Sequence, residues 1–220
     1  MSQSRPIYLL SPTPKEGTVA LPMIAFTTTA EYLSLEGVDT LMFTSKQAVK
    51  VADAIDPAWK KLPSIAIGGA TKKQIEALGG EVIYHPKSFY GESLAHDIAT
   101  FFRERKLLYL RPKEVSFDSK AFLEKEGITL KEQIIYETGC MAYKADEAPP
   151  KGAIIIFTSP STIHCFFKQF IWDESYDAVI IGNATKAHLP AHVRYHVAKE
   201  PLIDACIAKA QEILRDSNSK

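Results

Sequence analysis

The sequence predicts an α/β fold with two parallel β-sheets, each covered by helices on both faces, and three features lead to this prediction. A strand-and-turn segment occurs twice at matched spacing. Short apolar runs alternate with helical stretches along most of the 220 residues. The strands are also distributed unevenly, in a way that one domain inserted into another explains. Repeated β-α units of this kind form parallel sheets through right-handed crossovers.

The first feature is a duplicated pair of motifs. Phe43-Thr44-Ser45 ends one apolar run and Phe157-Thr158-Ser159 ends another, and a helical pattern follows each. Further along, Gly68-x-Ala70-Thr71 stands as far from the first motif as Gly182-x-Ala184-Thr185 stands from the second. One offset covers both pairs, which indicates an internal repeat.

The second feature is the alternation of elements in chain order. Apolar runs predict strands at 7–10, 23–26, 41–43, 65–67, 82–84, 107–110, 134–136, 154–157, 179–181 and 195–198. Helical spacing predicts helices after Ser45, at 71–78, 93–105 and 117–126, at 162–170, briefly from Thr185, and at 202–215. Prolines and a glycine between 11 and 22 leave no helix between the first two strands.

The third feature is the strand count, which assigns the elements to two domains. Five strands fall between residues 40 and 136 but three after 150, and the missing two stand at the N-terminus. Ile24–Thr28 aligns with Ile134–Thr138, and Tyr8–Leu10 aligns with Tyr109–Arg111. Strand 7–10 should therefore pair with strand 154–157. We predict an outer domain of residues 1–28 and 150–220, a circularly permuted inner copy at 38–138, and strand-like linkers at 29–37 and 139–149.

Composition narrows the class of protein. The formal net charge of zero argues against a nucleic-acid binder, although a local basic cleft could still hold an anionic small molecule. No apolar run approaches the ~20 residues of a membrane span. The N-terminus lacks the apolar region of a secretory signal, so we expect a cytoplasmic protein. Cys140, Cys165 and Cys206 form no C-x-x-C pair, and we expect three free thiols.

The carboxyl ends of the predicted strands carry the candidate site, because helix N-termini present free N–H groups there. Ser and Thr at these ends could bind a ligand or simply cap their helices for stability. Glycines 68, 69 and 182 could admit a ligand to the backbone or make tight turns. The hydroxyl residues concerned are Ser45, Thr71, Ser159, Ser161 and Thr185.

Tyr136 ends its strand on the same side and aligns with Phe26, so a phenol stands where the other copy has a phenyl. The difference could reflect a functional role of the phenol. Alternatively, the Tyr136 ring could simply pack in the core while its hydroxyl hydrogen-bonds to water. Neither nucleotide-binding glycine motif is present. His188, His192 and His196 are spaced by four, but a proline between them breaks the helix face that a metal site would need, so we expect no metal.

Six motifs in order resemble the uroporphyrinogen-III synthase family over nearly the whole chain. They lie at 43–49, 67–71, 109–111, 135–138, 157–161 and 181–185. The resemblance implies two flavodoxin-like α/β lobes, one inserted in the other, joined by a two-stranded hinge, with the substrate in the cleft between them. It also implies a monomeric lyase without cofactor or metal, which converts the linear tetrapyrrole hydroxymethylbilane into uroporphyrinogen III.

The implied reaction loses water, inverts ring D and closes the macrocycle. Because the substrate also closes spontaneously without inversion, the protein must chiefly hold it in the productive conformation. Tyr136 is the expected catalytic residue, as a donor to the departing hydroxyl. The expected contacts of the substrate carboxylates are Ser45, Lys46, Thr71, Lys72, Arg111, Ser159, Ser161, Thr185 and Lys186, although the lysines are equally compatible with solvated surface charges. Transient contact with the preceding pathway enzyme is expected, and no nucleic acid or membrane partner.

The alternative is a binding protein whose two lobes close on an anionic metabolite without chemistry, as linked α/β lobes commonly do. The product formed from hydroxymethylbilane separates the two hypotheses. A binding protein would leave isomer I, the spontaneous product, dominant.

Overall fold

In the computed structural model, which describes residues 5–87 and 90–218, the chain divides into two compact units. The outer unit holds the chain through Ala25 and again from Gly139, and the inner unit is Phe26–Thr138. Residues 1–4, on which the secretory-signal argument partly rests, lie outside the described residues. Within the described ranges, none of the helices combines the length and apolar character of a membrane span.

The described residues form eleven strands and seven α-helices. The strands are β1 Ile7–Leu9, β2 Val19–Ala20, β3 Ile24–Thr28, β4 Thr40–Phe43, β5 Ser64–Ala66, β6 Val82–Tyr84, β7 Leu107–Pro112, β8 Leu130–Cys140, β9 Ile154–Phe157, β10 Asp177–Ile180 and β11 Tyr195–Val197. The helices are α1 Lys46–Ile55, α2 Gly69–Ala77, α3 Gly91–Phe101, α4 Ser119–Lys125, α5 Pro160–Gln169, α6 Asn183–Lys186 and α7 Ile203–Asn218. Short 3-10 helices occur at Pro57–Lys61 and Ala145–Glu147.

The outer unit contains a parallel sheet with the strand order β11-β10-β9-β1-β2. Ile7 lies beside Ile154, so the predicted pairing of the first strand with strand 154–157 is confirmed. Apolar residues of α7 pack on one face of this sheet, among them Cys206, Ile207 and Ala210. Strand β9 is buried at every position, which explains why it reads as an uninterrupted apolar run.

The inner unit contains a six-stranded sheet with the order β3-β8-β7-β4-β5-β6. Adjacent residues of a strand point to opposite faces, and Phe43 and Met42 accordingly belong to different cores. Phe43 packs in a cluster with α1 residues such as Val49, whereas Met42 packs in a cluster with α3 residues such as Leu94. Helices therefore cover both faces of a sheet that is mainly parallel, as the sequence predicts.

One strand assignment is wrong. β3 lies at the edge of the inner sheet beside β8, so it is not the second N-terminal strand of the outer domain. That position belongs to β2, where Val19 lies beside Tyr8. β2 is two exposed residues long, so no apolar run marked it in the sequence.

The two segments that pass between the units are hydrogen-bonded to each other. β8 is eleven residues long, although the sequence pattern marked only three of them as a strand. The Thr29 N–H donates to the Ile135 carbonyl, and the Met141 N–H donates to the Met23 carbonyl. The connection consequently consists of paired segments on both sides of the unit boundary.

The expectation of three free thiols is also wrong. A disulfide joins Cys140, at the end of β8, to Cys165 in α5, with their Cα atoms 5.3 Å apart. Cys206 remains a free thiol, and burial raises its pKa to about 11. The spacing of the two bonded cysteines along the chain gave no sign of a pair, because the fold brings them together.

This pairing predicts the number of reactive thiols. Protein denatured without reductant should react with a thiol reagent at Cys206 alone, whereas reduced and denatured protein should react at all three cysteines. A colorimetric thiol titration measures both values. Three reactive thiols in the unreduced sample would show that the bond does not form in solution.

Candidate active site

Hydroxyl side chains gather where the central strands of the inner sheet end, and we call this place the inner edge. It comprises Thr44 and Ser45 after β4, Tyr109 and Arg111 near the end of β7, and Tyr136 on β8. β4 pairs with β7, and β7 pairs with β8 so that its last residue stands beside Tyr136. Three successive strands of the sheet thus supply one continuous row of polar groups.

Ser45 and Tyr136 are brought together at this edge. The Ser45 Oγ lies 2.9 Å from the Tyr136 phenol oxygen, and either atom can be the donor. The Ser45 Oγ also accepts the Ala48 N–H at 3.0 Å, so Ser45 is the N-cap of α1. Ser45 therefore caps its helix, and the same oxygen also contacts the phenol, while its binding of a ligand stays a prediction.

Proton counting shows what this pair can do. Serine and tyrosine have one hydroxyl proton each, and one of the two protons is used in the bond between them. The other proton remains available to an acceptor outside the pair. Burial raises the pKa of Tyr136, and the hydrogen bond with Ser45 offsets this only in part. The pair is accordingly a neutral donor at physiological pH and a weak acid.

A second pair of the same kind was not predicted. The Thr44 Oγ1 lies 2.6 Å from the Tyr109 phenol oxygen. Burial is the main reason that the pKa of Tyr109 rises to about 12, against a smaller lowering by the bond to Thr44. Thr44 and Tyr109 are far apart in the sequence, and no motif links them. Only the register of β4 and β7 shows that their side chains meet.

Arg111 is already engaged. Its Nη2 donates to the Glu132 Oε2 at 3.3 Å, and its Nη1 donates to the carbonyls of Pro112 and Lys113, both at 3.0 Å. The Nε lies 3.1 Å from the Glu132 Oε1, which is an ion-pair distance, but its N–H forms no hydrogen bond. Arg111 thus reaches the inner edge as half of an ion pair.

The two Gly-x-Ala-Thr turns begin helices without a side-chain cap. Gly68 and Gly182 occupy the N-cap positions of α2 and α6, both with φ 175°. This extended backbone excludes the tight-turn explanation for these glycines. Thr71 and Thr185 are buried in the first turn, three positions after the cap, so the alternative in which they cap their helices is excluded. The first N–H groups of α2 consequently receive no oxygen from the side chain of the cap residue.

The end of β9 in the outer unit carries a capped turn. The Ser159 Oγ accepts the Thr162 N–H at 3.3 Å, and the Thr162 Oγ1 accepts the Ser159 N–H at 3.2 Å. Ser159 is therefore the N-cap of α5. Ser161 lies two positions further, exposed, and does not cap the helix.

The predicted lysines lie near these turns with different surroundings. Lys46 is exposed in the first turn of α1. The Lys72 Nζ lies 3.7 Å from the Glu76 Oε1, and the Lys186 Nζ lies 5.2 Å from the centre of the Tyr195 ring. Each therefore remains a candidate for an anion contact.

Phe26 is not the counterpart of Tyr136, which corrects the alignment of the two copies. Both residues belong to the inner unit, and their rings meet edge to face with centroids 5.7 Å apart. This contact follows from the position of β3 beside β8.

Among the described residues, no three His, Cys, Asp or Glu side chains are arranged to hold a metal ion. The fold and the inner edge define a two-unit α/β protein that presents neutral hydroxyl donors and the uncapped N-terminus of α2.

Comparison with solved structures supports the same class. Uroporphyrinogen-III synthetase from Helicobacter pylori 26695 has a TM-score of 0.81 and 24% identity, covering 95% of this chain and 99% of that one. A mutant uroporphyrinogen III synthase from Thermus thermophilus has a TM-score of 0.61 and 10% identity, covering 96% and 99%.

At these identities the structural likeness shows the fold alone, and no curated protein matches in sequence. The family model described as uroporphyrinogen-III synthase HemD matches residues 17–208. The chain therefore belongs to the uroporphyrinogen-III synthase family, enzymes of tetrapyrrole biosynthesis that close a linear tetrapyrrole into a macrocycle. This membership favours the enzyme over the binding protein.

Proposed function

We propose that this chain converts hydroxymethylbilane into uroporphyrinogen III, with loss of water, inversion of ring D and closure of the macrocycle. The observation that carries the proposal within this family is the inner edge. The Ser45–Tyr136 pair has one proton left for an outside acceptor, and the Thr44–Tyr109 pair stands beside it. Beside them, Arg111 and Glu132 neutralise each other. Such an edge suits a reaction in which hydrogen bonding and orientation matter more than strong acids or bases.

The chemistry explains why neutral donors suffice. The hydroxyl of the substrate leaves as water, and the linear chain closes by itself to isomer I, so the protein must direct ring D rather than force the bond to break. Holding the reacting ends in one geometry supplies such selectivity. The Tyr136 phenol would donate a hydrogen bond to the departing hydroxyl, since its raised pKa keeps the proton on the oxygen.

The carboxylates of the substrate need positive partners. α2 begins at Gly69 with no side-chain cap, so its first N–H groups and the helix dipole favour a negative group. Lys46 and Lys72 lie in the first turns of α1 and α2, where a flexible ammonium group can add to this attraction. On the outer unit, Ser159, Ser161 and Thr185 are the proposed hydroxyl donors to carboxylates, and Lys186 is the proposed charged donor.

The direct test is the isomer composition of the product. Freshly made hydroxymethylbilane is mixed with the protein, and the uroporphyrinogens are oxidised and separated by chromatography. We expect isomer III to dominate with active protein and isomer I to dominate with heat-denatured protein. Isomer I in both samples would overturn the proposed function.

A Tyr136→Phe variant should turn over substrate about five- to tenfold more slowly than the wild type, the size of one neutral hydrogen bond. A general acid would be worth about 10²-fold or more, but the raised pKa of the phenol makes full proton transfer unfavourable. The edge contact with Phe26 is kept by a phenylalanine ring. Steady-state kinetics on the linear tetrapyrrole measure the effect.

Tyr176→Phe is the matched control for this variant. Tyr176 is as deeply buried as Tyr136, and its hydroxyl donates to the Pro149 carbonyl in the outer unit. We expect wild-type turnover from this control. Wild-type turnover and isomer ratio in Tyr136→Phe itself would remove Tyr136 from the mechanism.

We infer further that the chain works in the cytoplasm as a monomer without a cofactor, and receives its substrate through transient contact with the preceding enzyme. Dehydration and ring closure involve no net oxidation, so the chemistry calls for no redox group. Light scattering should give the mass of one chain, 24.4 kDa. A mass of twice that value at micromolar concentration would exclude the monomer.

A further inference from the structure

We infer that Tyr109 is a positioning residue: it holds Thr44, and through Thr44 the adjacent Ser45, so that the hydroxyl proton of Tyr136 is correctly oriented for the reaction. The inference rests on the proposed function and extends it to a residue whose hydroxyl is hydrogen-bonded to Thr44. Three observations carry it, namely strand register, the two hydroxyl pairs, and the separate cores that hold the two rings.

Strand register places the two phenols in consecutive strands beside one turn. Tyr109 lies opposite Met42, two residues before Thr44. Tyr136 is one strand further away, opposite Pro112. Each phenol reaches one of two successive residues of the turn, with O···O distances of 2.6 Å to Thr44 and 2.9 Å to Ser45.

The two rings approach this turn from opposite faces of the inner sheet. The Tyr109 ring belongs to the same core as Met42 and Leu94, whereas the Tyr136 ring belongs to the core that contains Phe43 and Val49. Both rings are almost fully buried, so close packing fixes their positions. The turn between β4 and α1 is therefore held from both sides by groups that cannot easily move.

Loss of one phenol hydroxyl would release one side of the turn. Without the Tyr109 hydroxyl, the Thr44 hydroxyl loses its 2.6 Å partner, and the side chain of Ser45 keeps its bonds to the Ala48 N–H and to Tyr136. Ser45 would then occupy several positions, and the Tyr136 proton would follow it. Because this placement matters for chemistry rather than for capture of the carboxylates, the effect should fall on kcat and not on KM.

The test is a double-mutant cycle of Tyr109→Phe and Tyr136→Phe, with folding checked by circular dichroism. In the wild-type background, Tyr109→Phe should lower kcat about fivefold with KM unchanged within about twofold. In the Tyr136→Phe background, the same change should lower kcat no further, because the group that Tyr109 positions is already absent. The Tyr176→Phe control removes an equally buried phenol and should change neither constant.

Thr44→Val tests the same hydrogen bond from its other end and should reproduce the loss in kcat, while Thr44→Ser keeps the hydroxyl and should restore most of it. An equal loss in both backgrounds, an unchanged kcat in Tyr109→Phe or Thr44→Val, or a wild-type kcat in Tyr136→Phe would each overturn the inference. Formation of isomer III by the wild type, measured first, separates failure of the inference from failure of the proposed function.

Discussion

A Gly69→Val variant is expected to lose about 10²-fold in kcat/KM, while its free energy of unfolding stays the same or rises by a few tenths of a kcal/mol. Neither the packing around this position nor its backbone conformation requires glycine. A Cβ built on Gly69 meets no heavy atom within 4 Å among the described residues, and the φ angle is not positive. Valine also forms helices slightly better than glycine.

The expected loss of activity comes from the ligand side. Gly69 is the first residue of α2, and Gly68 provides no side-chain oxygen for the first N–H groups of the helix. A carboxylate of the substrate that approaches these groups would meet the branched side chain of valine. A displacement of about 1 Å at such a contact can cost ~10²-fold in rate, because the remote group positions the reacting one.

Ala77→Val is the matched control, because it adds two methyl groups to an exposed position at the other end of the same helix. Urea denaturation and steady-state kinetics should show two stable proteins, of which only Gly69→Val is slow. Full activity in a stable Gly69→Val variant would mean that no ligand approaches this turn. Gly182→Val then tests the turn before α6 in the outer unit, at the cap position, where a Cβ likewise has open space among the described residues.

The sequence predicted the central strands well because burial leaves a plain pattern there. β4 and β9 are buried at every position, so each appears as an apolar run that stops at Thr-Ser. The N-cap requirement of the following helix then fixes the serine, and Ser45 and Ser159 both cap as their positions suggest. At these turns, strand burial and helix capping both require particular residue types, so the duplication is visible in the sequence.

The edge strands could not be predicted in the same way. β2 consists of two exposed residues, so backbone pairing with β1 defines it without any apolar signal. The apolar run of β3 suggested a strand of the outer domain, but β3 pairs with β8 in the inner sheet. Hydrogen-bonding register decided both cases, and register is a property of two strands together.

The site shows the same limit. Ser45 and Tyr136 were predicted from the ends of their strands, and the register of the sheet brings them to 2.9 Å. Thr44 and Tyr109 carry the same chemistry at 2.6 Å, but they meet through the face opposite to the one that holds Phe43. The sequence shows that side chains alternate between the two faces along β4. It does not show that β7 lies beside β4, and this pairing is what makes Tyr109 the partner of Thr44.

The largest expected change in stability concerns Asp177, at the amino end of β10. Its carboxylate is only 5% exposed and lies 2.6 Å from the Arg5 Nη2, with Arg194 on the other oxygen. The His196 Nε2 is 3.7 Å away. Because ligands bind at the opposite ends of parallel strands, we assign this cluster to the stability of the outer sheet.

Asp177→Asn should lower the free energy of unfolding by about 2–3 kcal/mol at pH 7, somewhat less than the ~3–5 kcal/mol for breaking a fully buried pair. The expected loss is smaller than for a fully buried pair because the Arg194 side chain is 64% exposed and the Arg5 side chain is 22% exposed. Water can therefore partly replace the lost carboxylate. Asp204→Asn is the control, since Asp204 is 76% exposed and pairs with Lys15 at the surface. An exposed pair of this kind is worth about 0–1 kcal/mol.

The pH dependence gives this prediction its sharper test. Burial by itself raises the pKa of Asp177, but the hydrogen bonds from Arg5 and Arg194 outweigh it and hold the pKa below its usual value. A depressed pKa in the folded state contributes stability that is present above the unfolded pKa of about 3.9. That contribution is lost as the pH falls through the folded value. The difference between the wild type and Asp177→Asn in urea denaturation should therefore be constant from pH 7 to about pH 5 and shrink below about pH 4. A difference that persisted unchanged to the lowest pH at which the protein folds would assign the loss to packing instead of charge.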